Sequence, residues 1–290
     1  MTDPSAVTVP RCVNHPDRET YIRCQRCGRY ICPDCMHQAS VGFHCPKCVA
    51  EGAASTPRAR TSYGGAVVVG RSGLVTKAII AVNVVVFLLI HLTGGVTSPL
   101  LYRTELVAKS FLFQGSVYSG VEDGAYWRLI TSTFVHVDTF HLLFNMFAIW
   151  IFGPALETLL GRWRYLALYL TCALAGSVSV YVLTRPEVAT IGASGAVFGL
   201  LGAALVISYQ RKLDITWLIV MLGFNLVYGF IRPDISWQGH VGGLVAGLAL
   251  GVAIAYAPRP RRGLVQGAAY AAVLLACVVL TVARTVTLTG

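Results

Sequence analysis

From residue 77 onward the chain is organised by seven apolar stretches, at about 77–93, 139–157, 163–183, 193–210, 214–231, 238–257 and 264–284. Each comes within a few residues of the ~20 that a helix needs to cross ~30 Å of hydrocarbon, so the pattern predicts seven transmembrane helices. The links between them are short, except 94–138, which carries apolar and aromatic runs such as "SFLF" and "YWRLI". A loop of that character is expected to lie partly in the membrane interface, with Tyr126 and Trp127 as anchors and Arg128 reaching the headgroups. Two different textures precede the helices. Residues 1–50 are polar and punctuated by cysteine, and residues 51–76 are rich in Ala, Ser, Gly and Thr with scattered Arg, which reads as a flexible linker. Three domains follow: 1–50, the linker 51–76, and a membrane domain 77–290.

Composition fixes the class. Of 290 residues 55% are hydrophobic and 12% charged, outside the range of a soluble domain, so the fold class is an all-α polytopic membrane protein. A net charge of +10 would suggest nucleic acid in a soluble protein. Here Lys and Arg fall in the short links, so the bilayer is the expected partner and no nucleic acid is. With the amino terminus in the cytosol, the inner links carry Arg58, Arg60, Arg71 and Lys77, then Arg162 and Arg164, Arg211 and Lys212, and Arg259, Arg261 and Arg262. The outer links carry the acids Glu105, Glu122, Asp123, Glu187 and Asp234. Seven crossings then send the carboxyl terminus outside, in a multi-pass protein of the plasma membrane.

Seven of the nine cysteines precede residue 49, with no secretory signal before them. Four ligand pairs, each with two intervening residues, are Cys12/His15, Cys24/Cys27, Cys32/Cys35 and Cys45/Cys48. Eight such donors suit two tetrahedral zinc ions, because a tight turn presents both members of a pair to one ion. Fewer than 40 residues cannot bury an adequate core, so the metals supply much of the folding free energy. The expected pairing is interleaved, first with third and second with fourth. A disulfide knot is the alternative, disfavoured in a reducing cytosol. His37 and His44 are left as non-ligands, and Cys172 and Cys277 as packing residues.

Polar groups at the helices carry the remaining chemistry. His141 and Asn145 lie four residues apart in "HLLFN", on one helical face where their donors converge, as an oxyanion site requires. Helix-to-helix hydrogen bonding is the plainer reading of the same pair. Ser194 opens the fourth crossing in "GASGAVFG", and His240 opens the sixth in "GHVGGLVAG". Gly195 and Gly199, and Gly239, Gly243 and Gly247, have the four-residue spacing that lets helices approach closely. Both helices run inward from the outer face, so Ser194 and His240 are expected at similar depth, where an imidazole beside a hydroxyl makes an activated nucleophile. His136 is read either as facing the active-site water or as an interfacial histidine. Glu157 is assigned to charge pairing with Arg162 and Arg164, and Asp234 to a solvated loop.

Trp127-Arg128 in the long loop, His141 with Asn145, Gly192-Ala-Ser194-Gly195, and His240 with Gly243 and Gly247 occur in an order that resembles the rhomboid intramembrane serine proteases. The resemblance covers the whole membrane part, in the six-plus-one form with the extra helix at the carboxyl end, and the cysteine segment resembles B-box-like zinc modules. It implies a Ser194–His240 dyad that cleaves transmembrane protein substrates, with Asn145, His141 and the Ser194 N–H holding the oxyanion and no metal used in catalysis. It further implies that Gly192, Phe198, Trp127 and Arg128 shape substrate binding, with Phe198 packing on the imidazole where relatives often have Tyr. For the zinc module, a cytosolic protein partner ranks first. Two rivals stay open: a non-catalytic rhomboid-like protein that binds membrane clients, and a transporter using His141 and His240 as a proton path. The presence of both Ser194 and His240 argues against the first, and the lack of an internal repeat against the second.

Overall fold

The computed structural model describes residues 9–56, 59–67, 73–232 and 235–290, so Arg58, Arg71 and Asp234 lie outside the described residues. The chain divides into two compact units, Met1–Ala59 and Arg60–Gly290.

The first unit is built on turns. His15 donates its N–H to the Cys12 carbonyl at 3.2 Å, Gly28 to Cys24 at 2.8 Å and Cys35 to Cys32 at 2.9 Å. These turns bring together the members of the first three ligand pairs, and the Cys48 N–H donates to Cys45 Sγ at 3.4 Å in the fourth. A short hairpin follows, β1 (His37–Gln38) paired antiparallel with β2 (Phe43–His44), and then helix α1 (Pro46–Ser55), whose N-cap is Cys45. The interior consists of Ile31 and buried cysteines, with Met36 and Phe43 packed against it. All seven cysteines here are free thiols, so no disulfide knot forms.

The second unit is helical. Helix α2 (Leu74–Leu92) leads into the long loop, which contains α3 (Pro99–Thr104), the antiparallel hairpin β3 (Phe111–Phe113) and β4 (Ser116–Tyr118), and α4 (Arg128–Thr131). Then come α5 (Thr139–Leu160), α6 (Arg162–Leu183), α7 (Ser194–Gln210), α8 (Thr216–Ile231), α9 (Trp237–Tyr256) and α10 (Arg262–Thr289). Among the described residues α2, α5, α6, α9 and α10 are long and apolar enough to cross a membrane, while α7 and α8 are apolar but shorter. This is a polytopic helical membrane fold.

Glycine decides which helices touch. A Cβ on Gly243 of α9 would lie 1.9 Å from the Gly195 carbonyl oxygen of α7, and one on Gly247 would lie 2.0 Å from that of Gly199. One turn further, a Cβ on Gly251 would stand 2.9 Å from the Ala203 Cα. Residue numbers rise together on both helices, so α7 and α9 run parallel, backbone against backbone. Helix α6 joins them through Gly176, whose Cβ position is 2.9 Å from the Gly239 carbonyl oxygen and 3.2 Å from the Gly195 Cα.

Buried polar side chains fasten the outer helices. The Glu157 carboxylate on α5 accepts the N–H groups of Val75 (3.1 Å) and Thr76 (2.9 Å) and the Thr76 hydroxyl (2.9 Å). Gly73, the N-cap of α2, has no side chain for that task. Glu157 also stands 3.8 Å from Arg162. The stretch read as linker is partly ordered: Glu51 to Ser55 lengthen α1 only within the first unit, while residues 61–65 form a turn on the second. There Tyr63 is buried and bonds Gln210, and a Cβ on Gly65 would strike the Leu160 carbonyl oxygen at 1.8 Å.

Candidate active site

His141 packs against Gly192, just before α7, and His240 against Phe198 in the first turns of α7. Asp138 caps α5 by accepting the His141 N–H at 2.8 Å, which fixes the first turn carrying His141. Asn145 follows one turn later, buried, and donates one amide hydrogen to the His141 carbonyl at 2.9 Å. Beside them runs the segment leading to Ser194. Gly192 has φ +116°, a left-handed conformation open to glycine, and a Cβ there would lie 2.5 Å from His141 Cε1 and 2.7 Å from its Nε2. The His141 ring therefore rests on the bare backbone of residue 192.

Two hydrogen bonds hold this segment from behind. The Gly192 N–H donates to the Ser132 carbonyl at 2.9 Å, and the Ala193 N–H to His136 Nε2 at 3.4 Å. His136 is fully buried, and its ring meets His141 edge-on at 4.9 Å. Sequence reasoning gave His136 no definite task; its spacing of five from His141 was the available signal.

Ser194, half-buried, starts α7. Its neighbour Gly195 touches the neighbour of His240: a Cβ on Gly195 would lie 3.1 Å from the Gly239 carbonyl oxygen. The α7 and α9 backbones thus meet one residue away from each of the two side chains. The buried His240 ring stacks on Phe198 at 4.2 Å with 11° between planes. Its Nδ1 lies 3.1 Å from a Cβ position on Gly229 of α8 and has no hydrogen-bond partner, so no acidic side chain orients the ring among the described residues.

Of the Trp127-Arg128 pair, Arg128 departs from the expected reach to headgroups. Arg128 is 1% exposed and reaches neither headgroups nor an open groove. Its Nε donates to the Ser119 carbonyl at 2.7 Å and its Nη1 to the Glu105 carbonyl at 2.6 Å, because irregular loop backbone needs donors for its carbonyls. Trp127 is half-exposed and donates Nε1–H to the Arg103 carbonyl at 3.0 Å, and Thr131 donates to the Thr104 carbonyl at 2.8 Å. The strand so clamped continues into Leu106, which exchanges both backbone bonds with Thr190 at 2.9 and 2.8 Å. Glu105 is buried; desolvation pushes its carboxyl up to about 7 against the pull of Arg128.

In the first unit the eight predicted ligands form two groups, Cys12, His15, Cys32 and Cys35, and Cys24, Cys27, Cys45 and Cys48. Within each, the donor atoms all lie within 4.8 Å of one another, so each group can hold one metal ion in the interleaved pairing. The Arg29 guanidinium beside Cys27 lowers that thiol to about 6, toward the thiolate that binds metal. His37 and His44 face each other across the hairpin, outside both groups.

Residues 123–257 match the family model described as Rhomboid domain. The chain is 34% identical over 210 residues to the rhomboid protease GluP of Bacillus subtilis (strain 168), covering 71% of this chain and 38% of GluP. YdcA, another protein of that organism with a rhomboid-protease name, is 37% identical over 136 residues, covering 45% of this chain and 68% of YdcA. RHOMBOID-like protein 5 of Arabidopsis thaliana is 38% identical over 147 residues, 48% of this chain and 47% of that protein. The chain thus spans well under half the length of GluP and about half that of the plant protein.

Proposed function

The chain belongs to the rhomboid family, and from that premise we propose that it is an intramembrane serine endopeptidase acting on transmembrane protein substrates in or near their spans. The observation that supports the proposal is the backbone contact of Gly195 with Gly239, one residue from Ser194 and from His240, together with the His141 ring against Gly192. Ser194 Oγ attacks the scissile carbonyl carbon as His240 takes the hydroxyl proton. The tetrahedral intermediate then collapses, the peptide C–N bond breaks, and His240 returns the proton to the leaving amine. Water, activated by the same imidazole, releases the acyl group from Ser194.

Nδ1 of His240 faces Gly229, which leaves Nε2 for this proton traffic, and Phe198 holds the ring in place of an acidic third residue. The oxyanion is received by the Asn145 amide hydrogen not given to His141, by the His141 ring and by the Ser194 N–H. Donors fixed before reaction need little reorganisation, and losing one costs about 10² to 10³ in rate. Gly192 leaves room for substrate backbone beside the nucleophile.

The two amino-terminal groups hold structural zinc in this reading. With Zn–S near 2.3 Å a tetrahedral S–S edge is ~3.8 Å, and Cys27 and Cys45 are 3.7 Å apart. A mixed S–N edge of ~3.6 Å compares with 3.2 and 3.3 Å from His15 Nδ1 to Cys32 and Cys35. The unit faces the cytosol of a plasma-membrane protein and serves a cytosolic protein partner, with the carboxyl terminus outside. The test uses a fluorescent phosphonate probe and a single-span substrate with wild type, Ser194→Ala and His240→Ala. Labelling and cleavage are expected in wild type alone; equal labelling of Ser194→Ala removes the protease reading in favour of client binding.

A further inference from the structure

At the end of the bundle where α5, α7 and α9 finish and α6 and α10 begin, the side chains of Arg164 and Arg262 both reach Gly64. The turn at residues 61–65 lies over this end, and a Cβ on Gly64 would meet Arg262 Cδ at 3.1 Å and Arg164 Nη2 at 3.6 Å. Arg164 is aimed by Gln266, which accepts its Nε–H at 3.0 Å and donates to the Tyr63 carbonyl at 3.3 Å. Gln266 and Tyr63 are both buried. The Arg262 Nε is buried and has no partner, and no ion pair holds either arginine among the described residues.

The carboxylates at this end are committed elsewhere. Glu157 caps α2 and faces Arg162, and Asp214 accepts the Thr216 N–H at 2.8 Å. Arg259 and Arg261, both exposed, add further positive charge in the turn before α10. Like charges gathered at one end of a bundle repel, and a buried N–H without an acceptor, as on Arg262, costs free energy. A tetrahedral oxyanion bound beside them would ease both deficits, and guanidinium geometry matches phosphate oxygens. The surroundings specify the carrier. Trp163, 81% exposed, and Leu264, 73% exposed, adjoin the arginines in sequence and present apolar surface at the level where a membrane interface begins.

We propose that Arg164 and Arg262 form a binding site for the phosphate of an anionic phospholipid headgroup, with Trp163 and Leu264 lying against the lipid's apolar part. The site is remote from Ser194 and independent of the catalytic reading. Basic pockets between membrane helices are suited to such headgroups, and each arginine near a surface contributes severalfold to affinity.

The test measures retention of phosphatidylglycerol against phosphatidylcholine by the full-length protein, using native mass spectrometry from mixed micelles. Wild type is expected to retain phosphatidylglycerol preferentially, and Arg164→Gln/Arg262→Gln to lose the preference by about tenfold or more. Arg211→Gln/Lys212→Gln removes equal charge from the same end and is expected to stay within about twofold. Equal loss in that control would mean diffuse attraction and overturn the site, as would unchanged retention in the double arginine variant. Displacement of the lipid by millimolar inorganic phosphate would assign the site to free phosphate and overturn the lipid. Should the double variant melt early in phosphatidylcholine, Arg262→Gln alone decides, since its Nε has no partner among the described residues.

Discussion

Gly243→Ala puts the closest contact between α7 and α9 to the test. The added methyl would stand 1.9 Å from the Gly195 carbonyl oxygen and 3.1 Å from the Gly195 Cα. That is roughly 1.5 Å short of a comfortable separation, and the obstacle is main chain, which cannot rotate away. Helices α7 and α9 must part locally by about 1 Å, at an overpacking cost of about 1–3 kcal/mol. Ser194 and His240 flank this contact, so their separation changes by a similar amount, and a misplacement of about 1 Å costs on the order of 10² in rate. Gly247→Ala meets the Gly199 carbonyl oxygen at 2.0 Å, one turn deeper, and serves as partner variant. Both should lower the melting temperature alike, whereas kcat on a transmembrane substrate should fall about 100-fold for Gly243→Ala and clearly less for Gly247→Ala. Gly267→Ala, with nothing within 4 Å, should change neither. Gly243→Ala with wild-type kcat and melting temperature would refute the reasoning.

Gly192→Ala should abolish most activity with little loss of helicity, because its methyl would displace the His141 ring from 2.5 Å; normal kcat/KM would contradict that placement. Glu157→Ala strips three donors at the start of α2 of their acceptor and should lower stability by about 2–4 kcal/mol, read by denaturant titration in micelles. Chelation of the purified protein should unfold residues 9–56, measured as new protease cleavage there, while the helical unit keeps its melting temperature. Glu105 is raised from 4.5 to about 7 by burial, so its neutral form suits the folded loop. That contribution is complete below the unfolded pKa and lost as pH rises through about 7. Melting temperature should therefore fall more between about pH 5 and pH 8 in wild type than in Glu105→Gln.

The helices were legible because a bilayer leaves a coarse signature, a run of apolar residues of a set length. The α7–α9 pairing was legible because glycine at four-residue steps has one strong use in lipid. The eight ligands were legible from pair spacing and donor type, whereas spacing alone does not fix which pairs share an ion, and the folded chain brings the first together with the third and the second with the fourth. Other features have no local signature. Tyr63, Gln210 and Gln266 are single polar residues far apart in sequence, and only the folded chain joins them. Arg128 misled for a physical reason: an arginine in an apolar loop looks like a snorkelling cation, yet the loop carbonyls of Ser119 and Glu105 were the acceptors it served.

The inward turn of Arg128 also explains how a loop far from Ser194 in sequence takes part in its placement. Arg128, Trp127 and Thr131 fix the carbonyls of residues 103–105, and the next residue, Leu106, locks to Thr190 through two backbone bonds. Two residues later Gly192 is held by Ser132, and Ala193 by His136. Each restraint acts on main chain, so it survives side-chain motion in the fluid interface, and together they leave the 190–193 segment few ways to move. The glycine contact below Ser194 fixes the other side. In the proposed mechanism Ser194, the first residue of α7, inherits the precision of both, as donors aimed at a transient oxyanion would require.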